Sequence, residues 1–157
     1  MEQQTVIHST FAIKRSYPAK AERVFAAFSD PAKKRRWFVE SDHNEVEHFE
    51  MDFRVGGQER GRFRLKQVSP VQGMVCTNLG VYQDIVPNRR IVLAHTMTLG
   101  EKCISASLVT FEFLASERGT DLICTHQGAF FEGSDGPEMR EEGWRKLLGQ
   151  LTEEVAR

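Results

Sequence analysis

One long amphipathic helix ends a chain whose earlier segments mostly predict β-strands. Ser134-Asp135-Gly136-Pro137 supplies a predicted cap and a proline for the first turn of this helix. A single apolar stripe follows at helical spacing, formed by Trp144, Leu147, Leu148, Leu151 and Val155. A helix with one apolar face must bury that face against another element, so this helix is expected to pack on the strands.

Strand-like segments separated by turn signals run along most of the chain, with the clearest alternation of apolar and polar residues at 58–67 and a poor one at 45–53. The predicted strands span residues 5–16, 45–53, 58–67, 73–86, 91–98, 104–114 and 120–130. Two short helices are predicted after the first strand, one over Lys20–Phe28 and one that begins at Asp30-Pro31 and ends near Trp37. Turn-compatible connections such as Pro87-Asn88 favour an antiparallel sheet. This order of elements predicts an α+β fold.

Length and charge narrow the classes of function. The 157 residues fit one domain of ordinary size, and 21 Lys+Arg against 22 Asp+Glu leave a net charge of −1. This balance argues against a general nucleic-acid binder, and no apolar run approaches the length of a membrane span. The chain holds 11 Phe and only 2 Tyr, which predicts a large and dry interior.

The cysteines and the first residues indicate a cytoplasmic protein. The chain has an odd number of cysteines, and they lie far apart, at Cys76, Cys103 and Cys124. This pattern favours free thiols in a reducing compartment. A metal site that joins Cys124 to His95 or His126 is the less favoured interpretation. The first ten residues lack the basic start and the apolar run of a secretory signal. Because no GxSxG, GxxxxGK, GxGxxG or HExxH motif occurs, no catalytic residue, metal ligand or cofactor is predicted.

Four segments, in order along the chain, carry a resemblance to a known family. They are AERVFAAFSDPAKKRRWF at 21–38, MDFRVGG at 51–57, GVYQDIVPNRRIVLAH at 80–95, and the stretch from GTDLICTHQG to GWRKLLGQL at 119–151. The chain resembles the START-like superfamily and, within it, the bacterial family named after the activator of the ninety-kilodalton heat-shock protein ATPase. The resemblance implies a helix-grip (START/Bet v 1-like) fold, in which a curved antiparallel sheet of six or seven strands wraps around the long C-terminal helix. A single domain over residues 1–157 is expected.

The resemblance also implies a cavity between the sheet and the C-terminal helix. Proteins of the wider superfamily bind lipids, sterols or polyketide-like molecules there, so we expect a monomer or homodimer that binds a small apolar or amphipathic ligand without catalysis. The residues expected to line the cavity are Trp37, Phe63, Tyr82, His95, Met97, Phe111, Cys124, His126, Trp144, Leu147 and Leu148. Two alternatives stay open: a chaperone-associated interaction module, and a cyclase-like or hydrolase-like enzyme.

Two histidines share strand faces with apolar residues. His95 is in phase with Leu93 and Met97, and His126 is in phase with Cys124. Each is either a core histidine that a neighbouring group satisfies, or a polar group in an apolar pocket that orients a ligand's hydroxyl or carbonyl. A general acid–base role is a third interpretation, because imidazole titrates near neutrality. The family that this chain resembles commonly has a tryptophan at the position of His95, so the chain departs from the family pattern there.

The strand over residues 73–86 and the basic row before it leave two questions open. Residues 73–86 are apolar on both faces, so either Gly80, Tyr82 and Val86 point inward, or Leu79, Val81 and Ile85 do. The basic row consists of Arg60, Arg62, Arg64 and Lys66, which share one face of the strand. It is either a solvated face that Glu45, Glu47 and Glu50 neutralise from the preceding strand, or a surface for an anionic partner such as a chaperone.

Overall fold

A computed structural model of the protein describes residues 5–40, 44–66 and 73–157. The elements are β1 (Ile7–Tyr17), α1 (Ala21–Ser29), α2 (Pro31–Lys34), a π-helix (Arg35–Val39), β2 (Asn44–Met51), β3 (Gln58–Leu65), β4 (Val75–Val86), β5 (Arg90–Leu99), β6 (Lys102–Ser116), β7 (Gly119–Phe130) and α3 (Pro137–Val155). Every predicted element is present, with bounds that differ mostly by one or two residues. Gln67, the predicted end of the third strand, lies outside the described residues.

The seven strands form one curved antiparallel sheet in the order β1-β7-β6-β5-β4-β3-β2. Each strand from β2 onward pairs with the next along the chain, and β1 closes against β7. The apolar stripe of α3 packs into the sheet, where Trp144, Leu148, Leu151 and Val155 join the main hydrophobic cluster. The predicted α+β helix-grip fold is confirmed.

The helices cover the two halves of the sheet unequally. α1 packs on β6 and β7, and α3 packs on β1, α1 and the π-helix. The apolar cluster is correspondingly dense over β1, β6 and β7, where Ile13, Val109, Phe111, Leu122 and Cys124 are fully buried. Fewer helical residues pack on the other half of the sheet, which β3, β4 and β5 form. The cavity described below lies over that half.

The second short helix differs from the expected regular helix. The Asp30 carboxylate caps α2, as predicted, by accepting hydrogen bonds from the backbone N–H groups of Ala32 (2.9 Å) and Lys33 (3.3 Å). After one turn the chain widens into the π-helix, which ends where the Glu40 N–H donates to the Arg35 carbonyl (3.0 Å). π-Helical turns often occur at functional sites. This one carries Trp37, whose indole N–H donates to the Ala27 carbonyl (2.7 Å).

A β-bulge answers the question of which face of β4 points inward. Gly80 and Tyr82 are buried on the concave face, as in the first alternative. The register with β5 then shifts between Tyr82 and Asp84, so that Ile85 rather than Val86 packs on the core. Each alternative was therefore right for one end of the strand, because strict alternation does not continue through a bulge.

The start of α3 differs from the predicted side-chain cap. Gly136 is the N-cap residue, and no side chain of the described residues accepts a capping hydrogen bond there. The Ser134 hydroxyl instead accepts from the Gly136 N–H (3.1 Å), and the Asp135 carboxylate binds Arg140 one turn further along the helix. Asp135 thus holds a guanidinium in place instead of capping the helix.

Carboxylates of the neighbouring strand pair with part of the basic row of β3. Glu47 on β2 forms ion pairs with Arg62 (3.2 Å) and Arg64 (3.0 Å), and Glu50 lies directly opposite Arg60. These pairs are exposed and contribute little to stability. They nevertheless reduce the positive charge that this face would present to an anionic partner.

Candidate ligand-binding cavity

A cavity of about 270 Å³ lies between the β3–β5 half of the sheet, the π-helix and the first half of α3. Its lining is mostly apolar. The lining residues are Phe38, Val39, Asn44, Gly61, Phe63, Asn78, His95, Met97, Asp135, Met139, Arg140, Gly143, Trp144 and Leu147. Met139 and Gly143 are exposed to solvent and therefore mark its mouth on the α3 side.

Aromatic rings form the side of the cavity next to the core. The Trp144 ring lies 5.7 Å from the Phe38 ring and 5.7 Å from the Phe111 ring, measured between centroids. Phe38 lines the cavity, whereas Phe111 lies behind Trp144 in the main hydrophobic cluster. The π-helix positions Phe38 because it packs against α3, so that Phe38 and Trp144 meet at the boundary between the cavity and the core.

Arg140 is the central residue of the polar end of the cavity. Its side chain is only 6% exposed, and its Nε and Nη2 donate to the two carboxylate oxygens of Asp135, each at 2.8 Å. Nη2 also donates to the Ser105 hydroxyl (2.9 Å). Burial by itself would raise the pKa of Asp135, but the hydrogen bond and charge of Arg140 hold that pKa below its usual range. Arg140 Nη1 has no hydrogen-bond partner among the described residues.

His95 is a neutral imidazole on the sheet side of the same cavity. Burial, with the nearby charge of Arg140 and other groups, lowers its pKa to about 4 although the charge of Glu59 opposes this shift. Neither of its ring nitrogens has a hydrogen-bond partner in the described part of the chain. Ser107, which lies directly opposite on β6, also has a hydroxyl without a partner among the described residues. His95 is therefore a buried, uncharged polar residue in the lining of the cavity.

His126 lies in the core and does not line the cavity. Its ring stacks on Phe11 at 4.8 Å with an interplanar angle of 3°, and on Phe130 at 5.9 Å. Burial and the charge of Arg140 lower the pKa of His126 to about 4. The Arg140 guanidinium lies 5.2 Å from the Phe130 ring, so this aromatic stack supports the polar end of the cavity from behind.

A buried ion pair holds the π-helix side of the cavity to the sheet. The Lys34 ammonium pairs with the Glu59 carboxylate, and both side chains are buried. The Tyr82 hydroxyl donates to the same carboxylate oxygen (2.6 Å), and burial together with Glu59 raises the pKa of Tyr82 far above its usual range. The Lys34 ammonium also lies 4.7 Å from the centre of the Phe38 ring. The three polar groups thus join α2 to β3 and β4 just behind Phe38.

The residues predicted to line a cavity separate into two groups. Five lie on this cavity: Phe63, His95, Met97, Trp144 and Leu147. Six are buried in the core away from it: Trp37, Tyr82, Phe111, Cys124, His126 and Leu148. Strand and helix periods identify the inward face for most of these residues, although they leave Tyr82 open, and they do not show how much space lies beyond each side chain.

Arg140 and Asp135 are the functional candidates that sequence reasoning missed. One signal for Arg140 was available, since it lies four residues before Trp144 and so extends the apolar stripe of α3 with a charged side chain. An arginine at a predicted core position needs an acidic partner. Asp135, five residues earlier, is that partner.

The described part of the chain holds neither a metal-binding cluster nor a membrane-spanning helix. No three His, Cys, Asp or Glu side chains within 5–40, 44–66 and 73–157 gather closely enough to hold a metal ion. In the same part of the chain, no helix is both long and apolar enough to cross a membrane.

A curved antiparallel sheet around a C-terminal helix, with a cavity between the two, defines a protein of the helix-grip class. The chain belongs to a family of this class, described as "Activator of Hsp90 ATPase homolog 1-like protein", whose model matches residues 18–156. No curated protein matches the chain.

Solved structures agree with this assignment. A crystal structure of a protein from Rhizobium loti is 46% identical, with a TM-score of 0.84 over 96% of this chain and 99% of that one. An uncharacterized protein from Rhizobium leguminosarum is 36% identical, with a TM-score of 0.88 over 97% of each chain. An AHSA1-like protein from Aeromonas hydrophila, 20% identical with a TM-score of 0.68 over 94% of this chain and 92% of that one, shares the fold.

Proposed function

We propose that this protein binds a small amphipathic molecule in the cavity between the sheet and α3, without transforming it. The observation that carries the proposal is a mostly apolar cavity of about 270 Å³ whose lining also includes the buried polar residues His95 and Arg140. The chemistry of a binding site matches this arrangement, in which apolar walls supply affinity and a few polar groups fix the orientation.

The size of the cavity sets the size of the ligand. At roughly 30 Å³ for each water molecule of the liquid, 270 Å³ is the volume of about nine waters, or on the order of ten non-hydrogen atoms. A ligand of that size that gains roughly 0.5 kcal/mol per non-hydrogen atom binds with a dissociation constant of roughly 0.1 mM. A suitable probe is 2-naphthol, which is fluorescent, rigid and apolar except for one hydroxyl.

A matched pair of variants on α3 tests the location of binding. Gly143 lines the cavity, and a Cβ added there meets no atom within 4 Å, so the side chain of Gly143→Leu has room to occupy the mouth. Gly149→Leu adds the same side chain to the same helix, away from the cavity, where the added Cβ meets only the end of the Arg15 side chain. We expect Gly143→Leu to weaken 2-naphthol binding at least ten-fold in a fluorescence titration, and Gly149→Leu to change it less than two-fold. Equal affinity in the two variants would place the probe elsewhere and refute the proposal.

The alternative role as a chaperone-associated module has less support. It relied on the basic row of β3, and Glu47 already pairs with two of its arginines. The family description names an ATPase activator, but that wording describes the family and identifies no surface of this chain.

A further inference from the structure

The cavity has a recess in the sheet at a position where β3 carries no side chain. Gly61 lies between Glu59 and Phe63 on the inward face of β3, and it lines the cavity. Among the described residues, a Cβ added to Gly61 would meet only the Phe49 ring, at 3.7 Å. Gly61 pairs directly with Asn78 on β4. The space that a side chain of β3 would fill is therefore open beside Asn78.

Asn78 presents a neutral amide to this recess. It lies on the concave face of β4, and its register partners Gly61 and Met97 also line the cavity. Asn78 is half-buried, so the surface that it exposes on this covered face of the sheet borders the cavity. The amide is the end of the side chain and extends furthest from the sheet. The ring nitrogens of His95, in contrast, are fully buried.

The hydrogen-bonding capacity of the Asn78 amide suits a hydroxyl group. The amide nitrogen carries two donors, and the amide oxygen accepts. In the described part of the chain the amide has one side-chain hydrogen bond, in which the Cys76 thiol donates to Oδ1 over 3.9 Å, and a thiol is a weak donor. A hydroxyl both donates and accepts, so it can pair with either end of the amide. A carbonyl can pair only with the nitrogen.

The charges in the lining favour a neutral ligand. Asp135 and Arg140 are the charged residues among the described lining, and two hydrogen bonds of 2.8 Å pair them with each other. Asp135 would repel an anion in the same cavity, and Arg140 would repel a cation. Either ion would also lose its hydration against the apolar walls. A neutral molecule meets none of these costs.

The walls beyond the recess favour an aromatic body. Three aromatic side chains line the cavity from three different elements: Phe38 from the π-helix, Phe63 from β3 and Trp144 from α3. Aromatic rings that meet edge-to-face or offset are stabilised beyond the area that they bury. The thioether of Met97, which also lines the cavity, makes favourable contacts with rings as well. An aliphatic chain of equal size gains neither interaction.

Building on the proposed function, we propose that the ligand class of this cavity is a neutral aromatic molecule with a hydroxyl group. The hydroxyl pairs with the Asn78 amide in the recess beside Gly61, and the ring packs against the three aromatic walls. The cavity volume admits on the order of ten non-hydrogen atoms, which is the size of two fused rings. 2-Naphthol fits this description. In 2-methylnaphthalene and 2-naphthoate, a methyl group or a carboxylate replaces its hydroxyl.

These three fluorescent ligands test the ligand class on the wild-type protein. The protein is titrated into each ligand at neutral pH, and we expect 2-naphthol to bind at least ten-fold more tightly than 2-naphthoate. If 2-naphthoate binds as tightly as 2-naphthol, the neutral class is overturned while the proposed function stands. If 2-methylnaphthalene binds more than ten-fold more tightly than 2-naphthol, the hydroxyl assignment is overturned. If none of the three binds at millimolar protein, the proposed function fails as well.

A matched pair of variants on β4 tests the role of Asn78. Asn78→Leu replaces the amide with an apolar side chain of similar size, and Thr77→Val makes a polar-to-apolar change at the next residue, which faces the opposite side of the sheet. We expect Asn78→Leu to reduce the affinity for 2-naphthol relative to 2-methylnaphthalene by about five-fold or more, and Thr77→Val to change this ratio less than two-fold. An unchanged ratio in Asn78→Leu would refute the role of Asn78.

A variant of the recess keeps the assignment testable if Asn78→Leu does not fold. Gly61→Val places a side chain in the recess, where the added Cβ has room. It is expected to weaken 2-naphthol binding by about five-fold or more, because the hydroxyl then cannot reach the Asn78 amide. Wild-type affinity in Gly61→Val would show that the hydroxyl does not lie beside Gly61, and the assignment would be wrong.

Discussion

The buried carboxylate of Glu59 offers the sharpest test of how the cavity is held open. Glu59 pairs with the Lys34 ammonium and accepts a hydrogen bond from the Tyr82 hydroxyl, and all three side chains are buried. Glu59→Ala leaves an ammonium and a hydroxyl in the interior without their shared partner. The same change removes the link between α2 and the sheet, next to the Phe38 ring that lines the cavity.

The expected loss follows from the cost of an unpaired buried charge. Removing one partner of a buried ion pair typically destabilises a protein by about 3–5 kcal/mol. In a chain of this length each kcal/mol lowers the melting temperature by roughly 2–4 °C, so Glu59→Ala is expected to melt roughly 6–20 °C below the wild type. The unpaired Tyr82 hydroxyl adds to this loss, but the two effects share one carboxylate and do not simply sum.

Urea denaturation and calorimetry of two variants provide the assay. The triple variant Lys34→Met/Glu59→Leu/Tyr82→Phe replaces the whole polar group with apolar side chains of similar size. Such replacements are often neutral or stabilising, so the triple variant is expected to lie within about 2 kcal/mol of the wild type. The reasoning is refuted if Glu59→Ala costs less than about 1 kcal/mol, or if the triple variant is as unstable as the single one.

Two further predictions concern stability. His95 and His126 have pKa values of about 4 in the folded protein and about 6.5 in the unfolded chain. Between these two values the unfolded chain therefore binds more protons than the folded protein. The free energy of unfolding is expected to fall as the pH drops from about 6.5 to about 4. The double variant His95→Phe/His126→Phe should lose less stability over that range in urea titrations, and an unchanged pH profile would contradict the assignment. Gly80→Ala should lower the free energy of unfolding by about 1–3 kcal/mol, because the added Cβ would lie 2.7 Å from the buried Leu93 side chain. Gly61→Ala is the control and should not destabilise the protein, because its added Cβ would lie 3.7 Å from Phe49. Equal stability of these two alanine variants in the same assay would show that the contact with Leu93 relaxes freely.

The element order could be predicted because each element has a local signal. In β3 apolar and polar residues alternate, and in α3 apolar residues recur at helical spacing. Both patterns involve only a few neighbouring residues, so they identify a strand or a helix and its inward face without any knowledge of the tertiary structure. The bulge after Tyr82 and the π-helix could not be predicted in this way, since each inserts one residue into a period that the sequence pattern assumes to be regular.

The boundary of the cavity could not be predicted because it depends on packing across the sheet. Phe63 and Phe111 both lie on strand faces that point inward, yet Phe111 is buried in the cluster beneath α1 and α3 while Phe63 borders empty space. The two phenylalanines differ because the helices pack over β6 and not over β3. A pattern of neighbouring residues in the sequence contains no information on this packing. The same limit applies to His95, whose sequence context is equally compatible with a partner or with none.

The methionine methyl groups give the most direct measurement of whether this cavity is the binding site. Met97 and Met139 line it, whereas Met51 and Met74 do not. In a spectrum of protein labelled with ¹³C at the methionine methyl groups, saturating 2-naphthol is expected to shift the signals of Met97 and Met139 and to leave those of Met51 and Met74 unchanged. Shifts confined to Met51 or Met74, or no shift at all at saturation, would contradict binding between the sheet and α3.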